Sequence, residues 1–160
     1  MKRLKMHHAV ITGGGSGIGA AIARKFAQEG AKLTLTGRRE APLRAVAEET
    51  GAAFVIADIT SRAAVDSALL SARSANGPVT ILVNNAGAVE SGPFAKLGED
   101  GWRRMMAINL DAVFHCTQAA LADIRTARAG RIVNIASTAA LKGYAYSAAY
   151  AAAKHGVLGL

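Results

Sequence analysis

A chain of 160 residues that is 51% hydrophobic fits one domain of ordinary size, and that composition excludes a disordered chain. Aromatic residues make up only 5% while glycines number 17, so small side chains and tight turns must do the packing, as suits α/β architecture. The formal net charge of +8 comes from cations scattered singly or in pairs (Lys2, Arg3, Arg38, Arg39, Arg103, Arg104), without a long basic run or interleaved aromatics, which points to a solvated surface and away from nucleic acid.

In chain order, MKRLKMHH is basic, but the apolar stretch Ala9 to Ile11 that follows breaks at once into glycines and is too short for a signal-peptide core. No stretch has membrane-spanning length, so a soluble cytoplasmic protein is expected. HAVIT (8–12) reads as the first strand, and TGGGSGIG (12–19) as a loop opening a helix that carries Ile22 and Phe26. Glycines there allow a tight turn and let the backbone approach a pyrophosphate, whose charge the free N–H groups and the helix dipole favour. Ala20 stands where a P-loop needs lysine, and Gly15, Gly17 and Ala20 fit the loose dinucleotide pattern GxGxxA; a merely structural glycine turn is the alternative.

KLTLT (32–36) is the second strand and runs into TGRRE. An acid at that strand end accepts hydrogen bonds from ribose hydroxyls; here Gly37 stands in its place with Arg38 and Arg39 after it, which favours a 2′-phosphate and hence NADP, NAD remaining open. A helix follows over Leu43, Val46 and Ala47, then a third strand AFVIA (53–57), a helix with Val65 and Leu69, and a fourth strand TILVN (80–84) leading into NNAG (84–87). Trp102, Met105, Met106, Leu110, Val113, Phe114, Thr117, Leu121 and Ile124 mark one long amphipathic helix. On it lies Cys116, the only cysteine, which rules out an intrachain disulfide and reads as core. RIVNIA (131–136) is the fifth strand, with Ser137 at its carboxyl end. His7, His8, His115 and His155 show no ligand spacing that converges with an acid, so no metal is expected.

Strands and helices that alternate, with mostly apolar strands, predict a parallel sheet covered on both faces, a doubly wound Rossmann-type fold in a single domain over 1–160. In such sheets ligands bind beyond the carboxyl ends of the strands, where Asn84, Asn85 and Ser137 fall. Tyr150 and Lys154 are spaced i and i+4, on one face of a helix. A phenol of pKa near ~10 needs help to act as acid or base at neutral pH, and a neighbouring ammonium supplies it. A packed tyrosine beside a surface lysine is the bland alternative.

Together TGGGSGIG, NNAG, Asn109, Ser137 and Y-A-A-A-K (150–154) resemble the short-chain dehydrogenase/reductase family, in its Gly-xxx-Gly-x-Gly branch; Gly13, Gly17 and Gly19 match the glycine spacing and Ser137 stands thirteen residues before Tyr150. The resemblance implies that Tyr150 exchanges the proton with a carbonyl or alcohol oxygen, that Ser137 holds that oxygen, that Lys154 lowers the tyrosine pKa and binds the nicotinamide ribose, and that Asn109 holds a water relaying protons to Lys154. It assigns the cofactor to Thr12, Gly13, Gly15, Ser16, Gly17, Ile18, Gly19, Arg38, Asp58, Ile59, Asn85, Ala86 and Gly87 besides Tyr150 and Lys154, and a small carbonyl or alcohol substrate, with 3-oxoacyl and 3-hydroxyacyl thioesters suggested by SGPFAKLGEDGW and the last nineteen residues. It also implies a C-terminally shortened chain, since family members continue beyond the tyrosine helix, and a homo-oligomeric intact enzyme, dimer or tetramer. A non-catalytic NADP-binding or interaction module, and a fragment that does not fold stably, are the alternatives.

Overall fold

The computed structural model describes residues 2–160. β1 (His8–Thr12), β2 (Lys32–Gly37), β3 (Ala53–Ile56), β4 (Ile81–Asn84) and β5 (Arg131–Asn134) form one sheet in the order β3-β2-β1-β4-β5, every neighbouring pair parallel. All five residues of β1 are buried, because it lies at the centre, with Val10 opposite Thr34 on one side and Leu82 on the other. Strand side chains alternate between faces. Ala9, Ile11, Leu33 and Leu35 therefore pack against α1 (Gly17–Gln28) and α2 (Glu40–Thr50) through Ala20, Ala23, Leu43 and Val46. Val10 and Leu82 face the opposite layer, α3 (Arg62–Asn76) and α5 (Ala112–Thr126), through Val65, Leu69, Cys116 and Ala120. This is the predicted α/β fold, each strand within a residue or two of its expected place.

Local chemistry sets the ends of the helices. Ser61 caps α3 by accepting from the Ala64 N–H at 3.4 Å, and α2 stops at Gly51 in the left-handed region, φ 69°, where a side chain would be strained. The two helices of the second layer are pinned by Arg73, whose Nε donates to Asp123 at 2.8 Å while its Nη2 donates to the Ala119 carbonyl.

One expectation needs correction. The long helix is α4 (Glu99–Met106) and α5 joined by a π-helical turn, Ala107–Asp111. A π turn takes up more residues than an α turn, so the apolar periodicity before it does not carry through in phase. Met105, Val113, Cys116 and Ile124 are buried as expected, but Trp102, Phe114 and Leu121 are 37%, 46% and 39% exposed, and two small residues the large-residue pattern passed over, Ala112 and Ala120, face the core instead. Helices flank the sheet as expected, and Ile132 and Val133 are 36% and 41% exposed on β5, which is an edge strand.

Candidate active site

The strand order reverses between β1 and β4, and the loops after β1, β2, β3 and β4 open a cleft of about 270 Å³ above their carboxyl ends. Gly13, Gly15 and Ser16 form its floor, Arg38 and Arg39 one wall, Asp58 and Ile59 the far side, and Asn85, Ala86 and Gly87 the near side.

The glycine loop has to be glycine for distinct reasons. Gly13 and Gly17 have φ of 65° and 53°, left-handed values that side chains resist. Gly19 is right-handed, but a Cβ there would stand 2.3 Å from the Gly13 carbonyl oxygen, so the helix could not seat against its own loop. Ser16 makes no side-chain capping bond and the first turn of α1 carries no acid. No side chain caps the N–H groups that open this twelve-residue helix, which starts next to Ser16 in the cleft lining, an arrangement that suits a pyrophosphate; Gly17, Ile18 and Gly19, expected to hold the cofactor, do not themselves line the cleft. The donor set and the bare floor fit a dinucleotide.

Of the cofactor residues expected from sequence, Gly13, Gly15, Ser16, Arg38, Asp58, Ile59, Asn85, Ala86 and Gly87 line the cleft. Thr12 lies behind it. It is buried, and its hydroxyl accepts the N–H groups of Asn85 and Ala86, both at 3.0 Å, which ties β1 to the NNAG loop. The Asn85 amide is likewise engaged with the Thr12 carbonyl at 2.9 Å, so this asparagine shapes the loop. Asp58 turns its carboxylate onto the Thr60 hydroxyl (2.7 Å) and N–H (3.0 Å); these bonds, and more weakly the charge of Arg38, hold it below the usual carboxylate range. Gly37, at the strand end singled out in the sequence, also lines the cleft, and Pro42, Leu43, Ala57, Ala88 and Ile108 complete it; these five were not legible, since each contributes surface shape without any motif chemistry.

Beyond the near side stand the other four residues. Ser137 caps a short 3-10 turn, Thr138–Ala140, with its Oγ accepting the Ala139 N–H at 3.1 Å. That turn packs on α6 (Ala148–Gly159), which carries Tyr150 and Lys154. The Lys154 ammonium lies 5.9 Å from the centre of the Tyr150 ring and donates to the Ile135 carbonyl at 2.9 Å. Lys154 is 5% exposed, and burial away from water pushes its pKa below the ordinary lysine value. Its partner, a main-chain carbonyl, has no signature in the sequence.

Asn109 sits in the π turn and is fully buried. Its amide donates to the carbonyls of Ala88 (2.8 Å) and Met105 (3.1 Å), and its Oδ1 accepts the Ala88 N–H at 3.3 Å. The side chain therefore staples the NNAG loop to the helix. A Cβ on Gly87 would come within 2.8 Å of Asn109 Oδ1 and 3.8 Å of the Lys154 ammonium, which shows how closely loop, asparagine and lysine converge. Cys116 lies outside this set, buried with its thiol pushed up to about 12 by desolvation, unfit as a nucleophile.

A family profile described as short chain dehydrogenase matches residues 7–160. The chain is 37% identical over 160 residues to 2,5-dichloro-2,5-cyclohexadiene-1,4-diol dehydrogenase of Sphingobium indicum, covering 97% of this chain and 64% of that protein. It is 40% identical over 157 residues to a subunit of (2S)-[(R)-hydroxy(phenyl)methyl]succinyl-CoA dehydrogenase of Thauera aromatica, covering 95% and 63%. A crystal structure of a single-residue variant of actinorhodin polyketide ketoreductase with NADPH superposes with a TM-score of 0.92 at 35% identity, covering 99% of this chain and 64% of the other. The chain thus spans less than two thirds of the length of the relatives it matches. Sheet order, glycine loop and the matched 7–160 span agree, and the chain belongs to the short-chain dehydrogenase family.

Proposed function

We propose that this protein is the nucleotide-binding and catalytic portion of an NADP(H)-dependent oxidoreductase that interconverts a carbonyl and a secondary alcohol. The reading is supported by the uncapped start of α1 at the glycine loop, by Arg38 and Arg39 in the lining of the same cleft, and by Lys154, which lies beside the Tyr150 ring with its ammonium 3.8 Å from where a Cβ on Gly87 would stand. When bound, the nicotinamide supplies or accepts the hydride. The chain's own residues do the rest. Gly13, Gly15 and the start of α1 would hold the pyrophosphate, Arg38 the 2′-phosphate, and Asp58 and Ile59 the adenine. Tyr150 gives its proton to the carbonyl oxygen in reduction and takes it back from the alcohol in oxidation. The Ser137 hydroxyl donates to the same oxygen, fixing it where negative charge develops. The charge of Lys154 favours the phenolate left on Tyr150. Asn109 keeps the NNAG loop against Lys154, its side chain being spent on that task.

The substrate we favour is a ketone or hydroxy compound of the 3-oxoacyl or 3-hydroxyacyl thioester type. A thioester relative, the succinyl-CoA dehydrogenase, and a Streptomyces coelicolor relative described as a putative ketoacyl reductase (37% identical) support it. We read residues 1–160 as the N-terminal portion of one longer nucleotide-binding domain, and the exposed Phe114 and Leu121 on α5 suit a contact between copies in a homo-oligomer. No helix among the described residues is long and apolar enough to cross a membrane, which agrees with a cytoplasmic enzyme.

Calorimetric titration with NADPH and with NADH tests the cofactor assignment. NADPH should bind more tightly, and Arg38→Asp should shift the affinity ratio toward NADH by about 10- to 100-fold, the range expected for a charge-assisted hydrogen bond. An unchanged ratio would overturn the role of Arg38.

A further inference from the structure

Asn84 and Asn134 are the last residues of β4 and β5 and stand opposite one another in the sheet. Two residues earlier on the same face the corresponding pair is Leu82 and Ile132, so the ladder turns from apolar to polar as it reaches the cleft end. The Asn84 amide donates to Asn134 Oδ1 at 2.9 Å and to the Thr117 hydroxyl of α5 at 3.1 Å. One side chain thereby ties the ends of both strands to the helix that covers them. The next peptide joins this tie to the chemistry. The Ile135 N–H donates to the Asn84 carbonyl at 2.8 Å, and the Ile135 carbonyl accepts the Lys154 ammonium at 2.9 Å. Ile135 packs its side chain against the core of the α1 and α2 layer while Asn134 turns its own to the opposite face, so the strand end is gripped from both sides. Because β5 ends at Asn134, the carbonyl that holds Lys154 is fixed by its own residue's N–H bond to Asn84 and by the side-chain tie at Asn134.

We infer that Asn134 is a positioning residue: through its bond to Asn84 it fixes the Ile135 carbonyl, and with it the Lys154 ammonium, relative to the Tyr150 ring. The inference rests on the reductase reading above and adds to it a residue that acts through Lys154. The ammonium lies 5.9 Å from the centre of that ring. Its attraction for a phenolate falls with distance, and a displacement of about 1 Å at a reacting centre can lower a rate about 100-fold, so a bond one peptide away from the Lys154 acceptor has leverage on turnover.

The test measures kcat, KM and NADPH affinity in the reduction of ethyl acetoacetate, a 3-oxo ester, with kcat counted per molecule that binds NADPH in calorimetry. Asn134→Leu, near in size but without the acceptor, should lower kcat about 10- to 100-fold while NADPH binds within about 3-fold of wild type. Asn134→Asp, which keeps an oxygen to accept the Asn84 amide, should recover most of that loss. Thr117→Val removes the second acceptor of the same amide and should lower kcat by about 3- to 10-fold, with Thr117→Ser restoring it; this pair serves where Asn134→Leu does not fold. Unchanged kcat in Asn134→Leu, or a loss that Asn134→Asp leaves in place, overturns the inference alone. So does a loss that lies wholly in a smaller NADPH-binding fraction and a lowered Tm, which marks a merely structural role. Wild type that does not oxidise NADPH with the ester would overturn the reductase reading, and the inference with it.

Discussion

The two ends of the parallel sheet hold polar side chains to opposite purposes. At the amino ends of the strands, buried His8 gives its Nδ1 proton to the Gly77 carbonyl (2.8 Å), the tautomer this acceptor requires, and its Nε2 takes the Thr34 hydroxyl (2.9 Å). Thr34 in turn accepts from Asn76 (3.1 Å), and Thr80 Oγ accepts the His8 N–H (3.1 Å). That network is closed. At the carboxyl ends Lys154 is equally buried but meets a single carbonyl, Ser137 accepts one N–H, and the first turn of α1 has no capping side chain. Closed polar groups stabilise a fold, whereas groups left with unused donors are available to a ligand. The contrast separates stability from chemistry within one sheet.

The largest effect should come from the open end. Tyr150→Phe removes one hydroxyl from a half-buried ring, so we expect turnover to fall on the order of 1,000-fold with cofactor affinity and Tm near wild type. Steady-state kinetics beside calorimetry decide this, and retained turnover would remove Tyr150 from the mechanism. The glycine loop joins the two roles. In Gly19→Ala the new methyl would lie 2.3 Å from Gly13 O and 2.5 Å from Asn85 Nδ2, and a loss of roughly 3 kcal/mol in denaturant unfolding is expected, with NADPH binding abolished. Gly17→Ala meets no atom within 4 Å and should lose only about 1 kcal/mol, from its left-handed φ of 53°. Equal losses in the two variants would mean that backbone conformation, not close approach, governs this loop.

The smallest effect belongs to the closed end. Burial pushes the His8 pKa below its ordinary 6.5, helped by the charge of Lys32 and opposed by that of Asp123. Because the unfolded chain then binds a proton more readily than the folded one, the contribution of His8 is complete above about pH 6.5 and is lost as the pH falls toward the folded value. His8→Gln should flatten that part of the profile, so that between pH 7.5 and 5 the wild-type Tm falls about 2–4 °C further than the variant's. Parallel curves would show that His8 does not set the acid limit. Turnover per folded molecule at pH 7.5 should stay with wild type, as His8 lies across the sheet from the cleft.

What the sequence determined by itself were the features governed by local spacing. Short apolar β-prone runs placed all five strands, the glycine pattern placed the loop at the start of α1, and the i, i+4 spacing put Tyr150 and Lys154 on one helical face. These depend on backbone geometry that nearby residues dictate. Tertiary structure decided what depends on partners distant in the chain. The π turn broke the phase of the long helix and sent Phe114 outward and Ala120 inward; Asn109 spent its side chain on Ala88; Lys154 found the carbonyl of Ile135; and Thr12 tied two strands instead of facing the cleft. Main-chain carbonyls and helical phase carry no residue-type signature, since each residue supplies the same acceptor, and only folding determines which one a buried donor meets.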